Sequence, residues 1–178
     1  MRIVIGNCLL SSLVLVTLGC GAATHNESAK QAEKASDTKT CAMQAGGHDV
    51  LRLTVPNDAS CKASDGSVVV NSNNRTVEFW IVKDAKSVDE ALAKVSEQIT
   101  DEFKNFKETK STDLSVSGAP AKRQEGSGEE ADDGDEGKAD VIVFKVGDHV
   151  FVACTHGEAL NAAAQEWMLA LVQSAKGA

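Results

Sequence analysis

The stretch Val141-Ile142-Val143-Phe144-Lys145-Val146-Gly147-Asp148-His149-Val150-Phe151-Val152-Ala153-Cys154 decides the fold class. Two runs rich in β-branched and aromatic residues flank a Gly-Asp pair, the pattern of a β-hairpin with a two-residue turn. After it, Gly157 to Lys176 carries Leu160, Ala163, Ala164, Trp167, Met168, Leu171 and Ala175 at helical spacing. Lys176 is expected in its last turn, complementing the macrodipole, with Gly177 ending it. Thr155 and Glu158 have the spacing of a capping box at its start.

Moving back along the chain, Ser87-Val88-Asp89-Glu90 is a second capping-box pattern. Val88, Ala91, Leu92, Val95, Ile99, Phe103 and Phe106 then form one apolar stripe with charged residues opposite, so a helix is expected over about 88–105. Before it, Arg75 to Val82 (RTVEFWIV) has apolar groups on both faces and reads as a central strand covered on both sides. Ser67 to Asn71 is a shorter strand, and Asn71-Ser72-Asn73-Asn74 supplies turn chemistry. Val50 to Val55 alternates and is closed by Pro56. Asp113 to Gly118 reads as a strand after the first helix. Glu125 to Asp140 holds eight acids, four glycines and one lysine, the composition of a solvated loop or a frayed hairpin. Strands with two helices in this order give an α+β fold, an antiparallel sheet with two main helices packed on it as an α/β/α sandwich.

The N-terminus is different in kind. Arg2 precedes an apolar run from Ile3 to Leu18, of signal-peptide length and marginal for a membrane span. It ends in Thr17-Leu18-Gly19-Cys20-Gly21. This resembles the bacterial lipoprotein signal, in which the cysteine thiol is diacylated and the peptide is cut before it. The match is carried by Gly19 and Cys20; Thr17 and Leu18 depart from the usual residues. The resemblance implies a signal peptide over 1–19 and a lipidated Cys20, palmitate being one such chain. Gly21 after the cysteine implies the outer membrane, facing the periplasm. Gly21 to Thr40 has no large apolar residue and cannot bury surface to offset chain entropy, so 20–40 reads as the lipidated cysteine and a disordered tether. The folded domain is then expected over 41–178.

The body also resembles a known fold. Leu53-Thr54-Val55-Pro56, Ser117-Gly118-Ala119-Pro120-Ala121 and Ser174-Ala175-Lys176, taken with the order of elements over about 48–176, resemble the PsbP-like domains. These include the photosystem extrinsic subunit, the Mog nuclear import factors and DcrB-like lipoproteins. Asn57-Asp58-Ala59 stands where the family usually has Gly-Trp after the proline. The resemblance implies a binding or assembly module without catalysis, tethered to the envelope and meeting another envelope protein there.

Composition narrows the classes. The 178 residues carry a formal net charge of −8, and the acids all follow the signal. Such a chain does not suit nucleic acid, whose phosphates require Lys and Arg. Tyr is absent and Phe and Trp are few, against a carbohydrate-stacking surface. No phosphate-binding Gly loop, nucleophile elbow or HExxH is found. No cofactor is expected.

Three cysteines follow Cys20. An exported domain permits disulfides. Cys41–Cys61 is the first choice, both lying near loop ends, with a bridge to Cys154 as the rival. Cys154 and His156 fall on one strand face, half of a metal site or a thiolate pair, although no second pair stands at zinc-like spacing. The acidic run around Glu129 to Glu136 invites a calcium reading, as a divalent-cation responsive module using 125–140. Its EF-hand register fails after Gly137.

Overall fold

The computed structural model describes residues 37–178, apart from 133, 158 and 159. The segment expected as a signal peptide, Cys20 and most of the expected tether lie outside the described residues.

The elements are β1 (Thr38–Ala45), β2 (His48–Pro56), β3 (Ser60–Ser64), β4 (Ser67–Ser72), β5 (Arg75–Ile81), α1 (Val88–Glu102), β6 (Phe103–Val116), β7 (Ala119–Glu130), β8 (Glu136–Val146), β9 (His149–Gly157) and α2 (Ala162–Gln173). Seven strands form an antiparallel sheet in the order β3-β4-β5-β9-β8-β7-β6, and β1 pairs with β2 in a separate ribbon. The hairpin expected at 141–154 is the centre of the large sheet. Val146 opposes His149 across its turn.

Two apolar layers close the two sides of the sheet. On one side α2 and the β1–β2 ribbon cover Val68, Val70, Val77, Phe79, Ile142, Phe144, Phe151 and Ala153. On the other, α1 sets Ala91, Val95 and Ile99 on Val141, Val143, Val150 and Val152. β5 and the central hairpin therefore present apolar residues both ways, as their sequences require. The alternation in β2 has the same cause: Leu51, Leu53 and Val55 are buried, while Arg52 and Thr54 face water.

Several boundaries differ from expectation. β1 begins at Thr38, so Thr38 to Thr40, expected in a tether, belong to the folded body. The polar side chains face out while their backbone pairs with Pro56, Val55 and Thr54 of β2. β3 has five exposed residues and no apolar stripe, which is why periodicity misses it.

α1 ends at Glu102, and Phe103 and Phe106 lie in β6 instead of on the helix. The register of β6 slips between Lys104 and Lys107, where Asn105 has a φ of 55°. This bulge inserts extra backbone, so residues three apart share one face of the strand. The spacing that looks helical thus has a strand origin.

Glu125 to Asp140 is a hairpin for most of its length. β7 pairs with β8 from Ala121–Phe144 to Glu129–Glu136, leaving a short connection. Three of its four glycines lie where the β6 segment around Phe103 and Phe106 leaves no room for a side chain. A Cβ on Gly137 would stand 2.7 Å from Phe103 Cε1, one on Gly128 would stand 3.1 Å from Phe103 Cβ, and one on Gly126 would overlap the Phe106 ring.

α2 is shorter than its apolar stripe. Asn161 is its N-cap, the side chain accepting from Ala164 N–H at 3.1 Å, and Ser174 ends it. Thr155 is not at the helix start but inside β9, 5% exposed and opposite Asp140, and Glu158 lies outside the described residues. Lys176 is outside the helix as well. Its backbone exchanges hydrogen bonds with Arg52 at 2.9 and 3.0 Å, binding the C-terminal segment to the free edge of β2. Ser174 Oγ accepts from Thr54 N–H at 2.9 Å and donates to Leu171 C=O at 2.7 Å, locking that junction.

Candidate functional site

Cys41 and Cys61 are joined by a disulfide, with Cα atoms 6.1 Å apart. The bond fixes buried Cys41 of the ribbon to exposed Cys61 of the edge strand β3. Because β3 buries no apolar side chain of its own, this cross-link and its pairing with β4 hold it in place.

Cys154 is a free thiol. It stands on the α1 side of the sheet, opposite Glu78 of β5 and Val141 of β8. His156 follows two residues on, its ring edge-on to Phe103 with centroids 6.3 Å apart. Sequence spacing therefore places sulfur and imidazole on one face correctly. Two acids join them. The electrostatics of Glu102 couple it to His156 and Glu78, and both acids act on Cys154.

The chemistry of this group is set by its charges. Burial pushes the Cys154 thiol up, and the carboxylates of Glu102, Glu78 and Asp140 push it further. A reactive cysteine needs an electropositive setting that favours thiolate. This one is electronegative and apolar, so the sulfur packs as a small hydrophobe among the α1-side residues. Partial desolvation holds the Glu102 carboxyl above its usual range; His156 opposes this, and Glu78, Asp132 and Asp101 reinforce it. Sequence reasoning did not find Glu78 and Glu102, because they are far apart in the chain. Only the β5–β9 pairing and the end of α1 bring them beside Cys154.

A second polar cluster lies on the other side of the sheet. Asp140, 0% exposed, accepts from Arg123 Nη2 at 2.6 Å and from Arg123 Nε at 2.9 and 3.2 Å. Burial raises the Asp140 carboxyl while the guanidinium pulls it down. Glu125 extends the cluster. Its Oε2 accepts from Gln165 Nε2 at 3.0 Å, and its Oε1 lies 3.3 Å from Lys110 Nζ and 3.6 Å from Arg123 Nε. A cleft of about 380 Å³ opens beside it, lined by Thr109, Glu125, Lys138, Leu160, Asn161 and Gln165 among others. The charges here bind one another and fix α2 to the sheet.

The acids of 125–140 consequently have separate fates. Asp140 and Glu125 serve this buried cluster, while Glu129, Asp132 and Glu136 are exposed toward the hairpin tip. Alternation along two strands sends neighbouring carboxylates to opposite faces, unlike a loop that wraps one ion. Among the described residues no three His, Cys, Asp or Glu side chains converge as a metal-binding set.

No protein-family model matches the chain, and no curated protein matches it. Solved structures do. The Ran-binding protein Mog1p of Saccharomyces cerevisiae superposes with a TM-score of 0.53 at 10% identity, over 78% of this chain and 95% of that one. The cyanobacterial PsbP of Synechocystis superposes with a TM-score of 0.53 at 11% identity, over 83% of this chain and 96% of that one. The body has the PsbP/Mog1-like fold, a large antiparallel sheet with two helices packed on it. These likenesses establish architecture; they assign no ligand or role.

Proposed function

We propose that this chain is a membrane-anchored envelope lipoprotein whose folded body is a non-catalytic module for binding or assembling with another envelope protein. The observation that carries it is the sequence Thr17-Leu18-Gly19-Cys20-Gly21 closing an apolar run ahead of a small folded body. Acylation of Cys20 with two or three chains gives a stable anchor, since each buried methylene contributes about 0.8 kcal/mol. Gly21 favours the outer membrane, facing the periplasm. The disulfide fits an oxidising compartment. Suppression of the Cys154 thiolate supports a non-catalytic reading. Mog1p, which shares the fold, is a binding protein by name.

Mass spectrometry of the native product is the test of the anchor. A diacylated or triacylated Cys20 at the mature N-terminus is the expected result. An unmodified Cys20, or a chain released freely into the medium, would sink the proposal. Crosslinking in intact envelopes tests the second half, and recovery of no specific partner overturns it.

A further inference from the structure

Among the described residues, the part of the sheet beyond the central hairpin is the part that α1 covers least, with Trp80 of β5 packed at the rim of the α1-side layer. α1 makes its main contacts with β6, β7 and β8. β5, β4 and β3 continue the same surface past the central hairpin. Pairing puts Lys62, Val69, Glu78 and Cys154 in one row across the strands, with Ser64, Ser67, Trp80 and Val152 in the next. The far side of β4 and β5 is sealed, with Val68, Val70, Val77 and Phe79 all 0% exposed. Alternation therefore turns Val69, Glu78 and Trp80 outward, and each is half-buried.

Charge says what suits this face. Glu78 stands within it, and Glu102 at the end of α1 is close enough to interact with Glu78 and with Cys154 in the same row. Asp132, at the hairpin tip, adds to the field felt at Glu102, with His156 acting in the opposite sense. Lys62 is a cation at the outer edge, on β3. Carboxylates beside an apolar, tryptophan-bearing floor complement a cationic side chain with an apolar stem. Arg in particular pairs with carboxylates in a fork and stacks on indole.

We propose that the open face over β3, β4 and β5, centred on Trp80 and Glu78, docks a Lys- and Arg-rich segment of a partner protein. This rests on the binding reading above and deepens it by giving the partner's chemistry. The apolar stems cover Val69 and Trp80, and the charged heads meet Glu78 and Glu102.

The test uses the full-length chain in detergent carrying Trp167→Phe, which leaves Trp80 as the one tryptophan. An oligoarginine peptide is titrated while Trp80 emission is followed. A saturable change is expected, weakened about fivefold by Glu78→Gln with Glu102→Gln. Raising NaCl from about 0.1 to about 0.5 M is expected to weaken it further. Lys62→Glu, at an exposed position, is expected to tighten binding; it keeps the test decisive if the double variant folds poorly by circular dichroism. No response of Trp80, an equal response to oligoglutamate, or indifference to these substitutions overturns the proposal. Failure here with Cys20 acylated and a partner crosslinked removes the docking face alone. Docking without acylation removes the anchor alone.

Discussion

The ring of Phe106 lies where a side chain on Gly126 would stand. The contact joins the bulged start of β6 to β7, beneath the end of α1. Overpacking of this kind costs roughly 1–3 kcal/mol, and here the Lys107 carbonyl, 2.7 Å from the same point, blocks escape. Gly126→Ala is expected to destabilise the fold by about 2–3 kcal/mol in urea unfolding. Adding Phe106→Ala should return part of that loss. An unchanged midpoint for Gly126→Ala would contradict the packing.

Arg123 and Asp140 make a second test. Their side chains are 15% and 0% exposed, so removing the cation leaves a carboxylate without compensation. Arg123→Met is expected to cost about 3 kcal/mol or more. Arg123→Met with Asp140→Leu should recover most of it, because an apolar pair carries no desolvation penalty. Chemical denaturation of both variants separates loss of an attraction from exposure of a bare charge.

The Cys41–Cys61 bond closes a loop with a sequence separation of 20. Cys41→Ala with Cys61→Ala is expected to lower stability by about 3 kcal/mol through the unfolded chain's entropy. Reduction of the parent should reproduce the shift. Amide exchange should rise first in β3, the strand the bond secures.

Cys154 should resist alkylation in the folded protein. Burial and neighbouring carboxylates hold it as a thiol, so at pH about 8 a small alkylating reagent is expected to label it only after denaturant is added. Rapid labelling of the native chain would contradict this and revive a thiol chemistry.

Glu102 sets a pH dependence. Its carboxyl is raised in the folded state, so its contribution to stability is present below the ordinary glutamate pKa and is lost as pH rises through the raised value. Glu102→Gln removes the charged form. The variant is expected to have a higher thermal midpoint than the parent at pH about 7, with the difference vanishing near pH about 3. A lower midpoint at neutral pH would mean that His156 outweighs burial and the neighbouring acids.

Much of the fold was legible because periodicity and turn chemistry are local. The hairpin at Gly147-Asp148, the Ser87 cap and the turn at Asn73-Asn74 follow from the residues at those positions. Ser87 Oγ accepts from Glu90 N–H at 3.2 Å, and both asparagines adopt positive φ. Glu90 answers from its side, accepting from Lys86 N–H at 3.0 Å where a standard box would use Ser87 N–H. The misreadings around β6 and β7 share one source. Gly126, Gly128 and Gly137 signal a loop to anyone reading locally, but they are small because Phe103 and Phe106 arrive from another strand. Phe103 and Phe106 signal a helix because a bulge at Asn105 imitates its spacing.

The sequence by itself determined the α+β class, the central hairpin and both helices, since each depends on patterns within a dozen or so neighbouring residues. It also supplies the anchor reading, which rests on the residues around Cys20. Tertiary structure alone decided the order of strands, the pairing of Arg123 with Asp140, and the gathering of Glu78 and Glu102 around Cys154 and His156. Those relationships join positions distant in the chain, and they exist only because burial of the two apolar layers forces the strands into one register.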